Sequence, residues 1–284
     1  MFRLPEAFYL SGGRQQAEGE TCIGWRGGYH KPEKYKKSVQ AGLEAPLDNA
    51  VEMHVPLSRI QRLIAERMLA SKWNKPCFYL ETRADVTELM GMRHALSKSL
   101  GVKVTSNAFF IRALALAAQQ YPLVVGRFVW QDSQDPAAGA VIQIANAINV
   151  GFAVNSPQGL VVPVIKQAQS KSLARIAEEE KLLTAKARSN KLTLDELEGE
   201  TIALSNLGAY DIDSFLGIVP PPTSAILAAG KVALAAVPHE GHIVVRKLVS
   251  LSLAVDHRVI DSVYAAGFLR CLTEQLQDPQ QLIS

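Results

Sequence analysis

Cysteine is scarce in this chain of 284 residues: it has three, Cys22, Cys77 and Cys271, far apart. An odd, scattered set offers no disulfide framework and no paired zinc-ligand spacing, so a reducing compartment is the simpler expectation. Long hydrophobic runs are also lacking. No stretch of about 18 apolar residues occurs, and the best candidate, Ala225 to Val237, is interrupted by Gly230 and Lys231. The opening residues MFRLPEAFYLSGGRQQ lack the basic start and apolar stretch of a signal peptide. These absences predict a soluble cytoplasmic protein. An excess of one charge is missing too. Thirty Lys and Arg against 27 Asp and Glu leave a formal charge of +3, too balanced for a chain that binds mainly nucleic acid or an anionic membrane. GxGxxG and Walker-type loops do not occur, nor does GxSxG, so dinucleotide, nucleoside triphosphate and nucleophile-elbow chemistry have no support.

What is present is ordinary globular composition, 48% hydrophobic and 20% charged, enough to bury a core. Residues 1–50 stand apart: SGG, GWRGG and HKPEKYKK show little hydrophobic periodicity and predict an arm or linker. The body runs over 51–284. PLSRIQRLIAERMLASK has helical spacing at Ile60, Leu63, Ile64 and Met68, with Ser58 as its N-cap. Cys77–Val86 predicts a strand. Asp85 with Glu88 resembles a capping box that opens a helix running to about Ser99. Thr105 to Gln120 predicts a helix apolar nearly all round.

Residues 141–165 predict two strands paired about the turn NSPQG. A charge-rich helix over 170–188 follows, then a capping box of Thr193 and Glu196 opening a short helix that stops at Gly199. TIALSNLG reads as a strand entering a turn. SAILAAGKVALAAV and HIVVRKLVSLSLAVDHR are long strands joined by PHEG, and Asp261 to Gln277 is a closing helix. The fold class is therefore α+β.

Two segments carry chemistry. HEGH is not one of them, because His239 and His242 stand three apart with glycine between, unlike HExxH on a helix; no metal site is expected. In AVDHRVIDS, His257 ends a long apolar strand between Asp256 and Arg258, and Asp261 follows where the last helix begins. A lone histidine at a strand end is ordinary, and Asp261 can be a simple N-cap. Three charged residues closing one strand at the foot of a helix point instead to a built site, with an imidazole suited to general-base work near neutral pH. In SNLGAYDIDSFLGIVPPPTSAILAAG, Ser205 ends a strand at a glycine turn, and Pro220–Pro222 fix an extended stretch that leaves backbone groups unpaired.

Together these segments resemble the catalytic core of the E2 components of 2-oxo acid dehydrogenase complexes, the dihydrolipoamide acyltransferases. That family carries DHRVIDG near its C-terminus after a segment like SNLG…F…I…PP…AIL; here they stand as DHRVIDS and SNLGAYDIDSFLGIVPPPTSAIL. SRIQRLIAERM, RADVTEL, QGLVVPVI and KARSNKLTLDELEGETIALSNLG extend the resemblance over about residues 55–284. It implies a fold like chloramphenicol acetyltransferase, a mixed sheet flanked by helices. It implies trimers with the active site between subunits, built into a larger cubic-type core. The implied reaction moves an acyl group between dihydrolipoamide and coenzyme A; with no lipoyl domain visible in residues 1–50, the lipoamide is expected on a separate lipoyl protein. His257 is then the base, Ser205 the oxyanion donor and Asp261 a structural acid that holds the histidine loop through an ion pair and caps the last helix. Asn206 and Pro221 are candidates for the coenzyme A channel wall, and E1 and E3 components are candidate partners.

Three departures qualify the resemblance. Ser262 replaces the usual glycine, a strain of roughly 1 kcal/mol if that position needs positive φ. Gln61 stands where arginine is common, removing one ion-pair partner for Asp261 unless Arg59 or Arg62 substitutes. Residues 1–50 show no lipoyl domain or subunit-binding domain, so the swinging arm must come from elsewhere. Two rivals follow: a non-catalytic E2-like scaffold, and an acyltransferase of this fold with a different acceptor. Which acyl group is carried is not written in the motifs.

Overall fold

The structure, a computed structural model, describes residues 54–57, 59–131, 139–157 and 159–283. The expectations for residues 1–50, and for Ser58 as a cap, lie outside the described residues. From Pro56 onward the described residues pack as one unit. Helix α1 (Arg59–Asn74) leads into strand β1 (Cys77–Asp85), α2 (Thr87–Ser99) and α3 (Ser106–Gln120). Strands β2 (Gly126–Trp130), β3 (Ala140–Ile144), β4 (Val150–Phe152), β5 (Val154–Ser156), β6 (Gly159–Val161) and β7 (Val164–Ile165) follow. Then come α4 (Leu173–Arg188), α5 (Leu194–Leu197), β8 (Ile202–Asn206), β9 (Ala225–His239), β10 (His242–Asp256), α6 (Ser262–Gln277) and α7 (Gln280–Ile283).

Six strands form one mixed sheet in the order β1-β10-β9-β8-β4-β7. β10 runs antiparallel to β1 and β9, whereas β8 is parallel to β9 and β4. The α+β expectation holds. One face of this sheet packs on the helices. Ile202, Leu204, Leu227, Leu253 and Val255 join the main core with Phe109, Phe110 and Leu114 of α3 and Phe268 and Leu272 of α6. The opposite face carries a small second cluster of Ala203, Val219, Ile226 and Ala254. Period-two alternation accounts for this division, since neighbours along a strand face opposite ways. α3 is buried nearly all round, as its composition predicts, and Thr105 caps it by accepting from the Ala108 N–H at 3.1 Å. Thr193 and Glu196 make the expected reciprocal capping box.

Two local expectations need correction. Asp85 and Glu88 do not form a capping box: α2 starts at Thr87 with Val86 at its cap, and Asp85 instead accepts from the Thr87 N–H at 2.9 Å and from the Thr87 hydroxyl. The acid sits one residue too early to reach the third amide of the helix. Residues 141–165 are not two strands but five pieces in three sheets. β3 pairs with β2, β5 with β6, and β4 and β7 join the main sheet. The chain leaves the main sheet at Ala153, whose N–H still donates to the Leu204 carbonyl at 3.0 Å, and Pro163, lacking an N–H, cannot continue a ladder.

β9 and β10 outrun the sheet. β1 covers β10 only as far as the pair Asp85–Leu248, so beyond it the two form a bare ribbon turned at Glu240–Gly241. One face of that ribbon presents Leu234, Ile243 and Val245, which are 71%, 80% and 65% exposed. No helix among the described residues is long and apolar enough to cross a membrane.

Candidate active site

His257 follows the last residue of β10. Its backbone N–H donates to the Pro76 carbonyl at 3.0 Å, and the preceding Asp256 N–H donates to the Ser224 carbonyl at 2.8 Å. The histidine peptide is thus tied on one side to the start of β1 and on the other to the segment that enters β9. Its ring is exposed and meets Phe78 edge-on, with centroids 5.7 Å apart. Asp256 is buried, 1% exposed, and takes the Arg258 guanidinium in a two-pronged bond of 3.0 and 2.7 Å. The Arg258 guanidinium also stacks over the Phe128 ring, 4.5 Å from its centroid. The hydrogen bond from Arg258 to the Asp256 carboxylate raises the guanidinium's already high pKa.

Ser205 lies on β8, half-buried, on the face away from the helices, two residues after Ala203. It is level with Ala228 of β9, which is level with Ser252 of β10, which pairs with Glu81 of β1. Ser252 donates to the Glu81 carboxylate at 2.8 Å. This row separates the two candidate residues. At about 4.8 Å per strand and 3.3 Å per residue, two strands and five residues place Ser205 about 19 Å from His257 in one chain. A single chain does not bring them together.

Beyond Ser205, Asn206 donates to Asn107 Oδ1 at 2.8 Å and accepts the Gly208 N–H at 2.9 Å. Asn107 in turn donates to Glu180 Oε1 at 3.5 Å, and the Thr105 hydroxyl donates to Glu180 Oε2. Burial pushes the Glu180 carboxyl up, against the hydrogen bonds from Thr105 and Asn107. The turn after Asn206 lies directly against β9: a Cβ on Gly230 would stand 1.9 Å from the Asp213 carbonyl oxygen, so only glycine fits there.

The proline segment differs from the expectation of unpaired backbone. Arg67 donates to the Pro221 carbonyl at 2.7 Å, the Ser71 hydroxyl to the Val219 carbonyl, and Lys75 to the Pro220 and Thr223 carbonyls at 3.1 and 2.6 Å. These donors recur every four residues and so share one helix face. Pro222 and Thr223 line a cavity of about 330 Å³ with Gly126, Arg127, Glu200 and Thr201.

Asp261 caps α6, accepting the Tyr264 N–H at 2.8 Å. The ion pair that closes the histidine turn is therefore Asp256–Arg258, where an Asp261 pair was expected; adjacency in the turn lets those two meet without a distant partner. Ser262 is the first residue of α6 and is not among the described residues with positive φ, so its replacement of glycine brings no backbone strain. Burial raises the Cys77 thiol, which sits in register with Asp256, leaving it a poor nucleophile.

Residues 49–284 match the family described as 2-oxoacid dehydrogenases acyltransferase (catalytic domain). This chain belongs to that family. It is 33% identical over 232 residues to the dihydrolipoyllysine-residue acetyltransferase component of the pyruvate dehydrogenase complex of Rickettsia bellii, covering 80% of this chain and 53% of the relative. It superposes with TM-score 0.76 and 31% identity on dihydrolipoamide acetyltransferase of Azotobacter vinelandii, in a study of a serine, a histidine and an asparagine in its catalytic mechanism, covering 84% of this chain and 98% of that one. The atomic structure of the cubic core of the pyruvate dehydrogenase multienzyme complex matches with the same TM-score, identity and coverage. This chain spans about half the length of the curated relatives it matches.

Sequence reasoning marked His257, Ser205 and Asp261 in this domain but missed the donors on and just after α1 and the Asn206–Asn107–Glu180 chain. The spacing of Arg67, Ser71 and Lys75 was a usable signal; their carbonyl acceptors, over 140 positions away, were not.

Proposed function

We propose that this chain transfers an acyl group between the thiol of dihydrolipoamide and the thiol of coenzyme A. The observation that carries the reading is the His257 turn: an exposed imidazole held on a backbone pinned from two sides and braced by a buried ion pair. His257 accepts the proton of the coenzyme A thiol as its sulfur attacks the thioester carbonyl. The tetrahedral oxyanion receives a hydrogen bond from the Ser205 hydroxyl. Its collapse breaks the bond to the dihydrolipoamide sulfur, which leaves as a thiolate and takes the proton back from the imidazolium. No acyl-enzyme forms, and holding both thiols in one channel supplies much of the rate. Asp261 acts as a structural acid through its cap. Pro221 and Asn206 contribute to the channel wall for coenzyme A from separate places, Pro221 before β9 and Asn206 at the end of β8, where its side chain is bonded to Asn107.

The separation of Ser205 from His257 supports a site completed by a second copy of the chain, as does the apolar ribbon at Leu234, Ile243 and Val245. We infer a homotrimer, assembled further into a cubic-type core like that of the structural relative, and served by a lipoyl domain on another polypeptide; E1 and E3 components are the further partners of such a core. The reading places the protein in the cytoplasm. The test is acyl transfer to coenzyme A by the purified chain from S-acyl-dihydrolipoamides carrying acetyl, branched-chain acyl or succinyl groups. Transfer that falls about 100-fold or more in His257→Ala supports it; absence of transfer by the assembled native protein, or an unchanged rate in the variant, overturns it.

A further inference from the structure

Lys75 lies just past α1, with its N–H on the Ser71 carbonyl at 3.0 Å. Its side chain turns into the protein and its ammonium group meets three carbonyls: Thr223 at 2.6 Å, Pro220 at 3.1 Å and Val219 at 3.5 Å. Three donors on one ammonium group find three acceptors, which suits a lysine better than any other residue. Both anchors of the histidine turn are next to these contacts. Pro76, whose carbonyl takes the His257 N–H, is the residue after Lys75; Ser224, whose carbonyl takes the Asp256 N–H, is the residue after Thr223.

We propose that Lys75 is a positioning residue for His257: its ammonium group ties the 219–223 segment to the start of β1 and so fixes both backbone anchors of the histidine turn. The inference rests on His257 being the base of the proposed reaction. The Thr223 hydroxyl supports the same segment by donating to the Pro220 carbonyl at 2.8 Å, and Ser224 is buried beside it. Burial lowers the Lys75 pKa to about 8, opposed by the Asp256 carboxylate and the Cys77 thiol and assisted by Arg258. Lys75 is therefore mainly the cation at neutral pH, with its full set of donors.

The test uses the full chain as Lys75→Met, which keeps the stem, and Lys75→Gln, which keeps two donors. Amide hydrogen exchange is read at Asp256 and His257 beside steady-state acyl transfer. In Lys75→Met protection at those two amides falls by about tenfold or more while the centre of β10 stays protected. The kcat falls about 10- to 100-fold with KM for coenzyme A little changed, as a displaced reacting group requires. Lys75→Gln lies between native and Met, and decides the matter alone if the Met variant does not fold. Unchanged exchange at both amides, or a loss spread evenly along β10, overturns the positioning role. If the native protein transfers no acyl group the proposed function falls, and the exchange measurement still judges whether Lys75 holds the turn.

Discussion

Asp256 and Arg258 grip each other across a single intervening histidine, with the carboxylate 1% exposed and the guanidinium capped by the Phe128 ring. The pair sets the shape of the turn that displays His257. Asp256→Asn leaves Arg258 without its counter-charge. The expected cost is about 3 kcal/mol, at the low end for a broken buried pair because Arg258 keeps partial access to water. Urea unfolding measures it, and acyl transfer should fall in the same variant at temperatures where it remains folded.

Ser205 and His257 stand about 19 Å apart in one protomer by the sheet register. Ser205→Ala and His257→Ala chains are each expected to lose most activity. Unfolded together and reassembled in equal amounts, they should regain about a quarter of the native rate, since random mixing places an intact serine beside an intact histidine at that fraction of interfaces. Mixing without recovery places both residues of a working site in one chain.

Asp261 offers a cleaner separation of charge from cap. Asparagine caps helices as well as aspartate, so Asp261→Asn should leave stability nearly unchanged, whereas Asp261→Ala should cost about 1 kcal/mol. Thermal melts of the two variants check this. A large loss in the Asn variant would show that the negative charge itself is used.

Much of the architecture was legible because its signals are local. α3 announces itself by being apolar all round, the Thr193–Glu196 box opens α5, and PHEG joins β9 to β10. Residues 141–165 misled because apolar residues on both sides of the NSPQG turn hide where the chain changes sheets; Ala153 and Pro163 mark those points only once the partners are in place. The same distinction holds at the site. His257, Ser205 and Asp261 belong to short motifs. Lys75 acquires meaning only from carbonyls that the fold brings over from Val219 to Thr223.

Glu180 carries a pH signature. Its carboxyl is raised by burial above the ordinary value of 4.5. Between that value and the raised one the folded state holds more protons than the unfolded state, so this group's stabilising contribution is full below 4.5 and is lost as pH rises. Stability of the native protein relative to Glu180→Gln should therefore decline as pH increases from 4.5 toward neutrality. Denaturant melts of both proteins across that range measure the difference. A native advantage that grows with pH reverses the sign and contradicts a buried, proton-retaining carboxyl.

The β9–β10 ribbon has a consequence for the making of the protein. Leu234, Ile243 and Val245 are wet in a solitary chain, and open strand edges of this kind recruit whatever pairs with them first. On the proposed assembly, in which sister chains cover the ribbon, yield from cells should depend on how soon those chains meet: slow synthesis leaves the ribbon bare for longer, and crowding by foreign nascent polypeptides fills it wrongly.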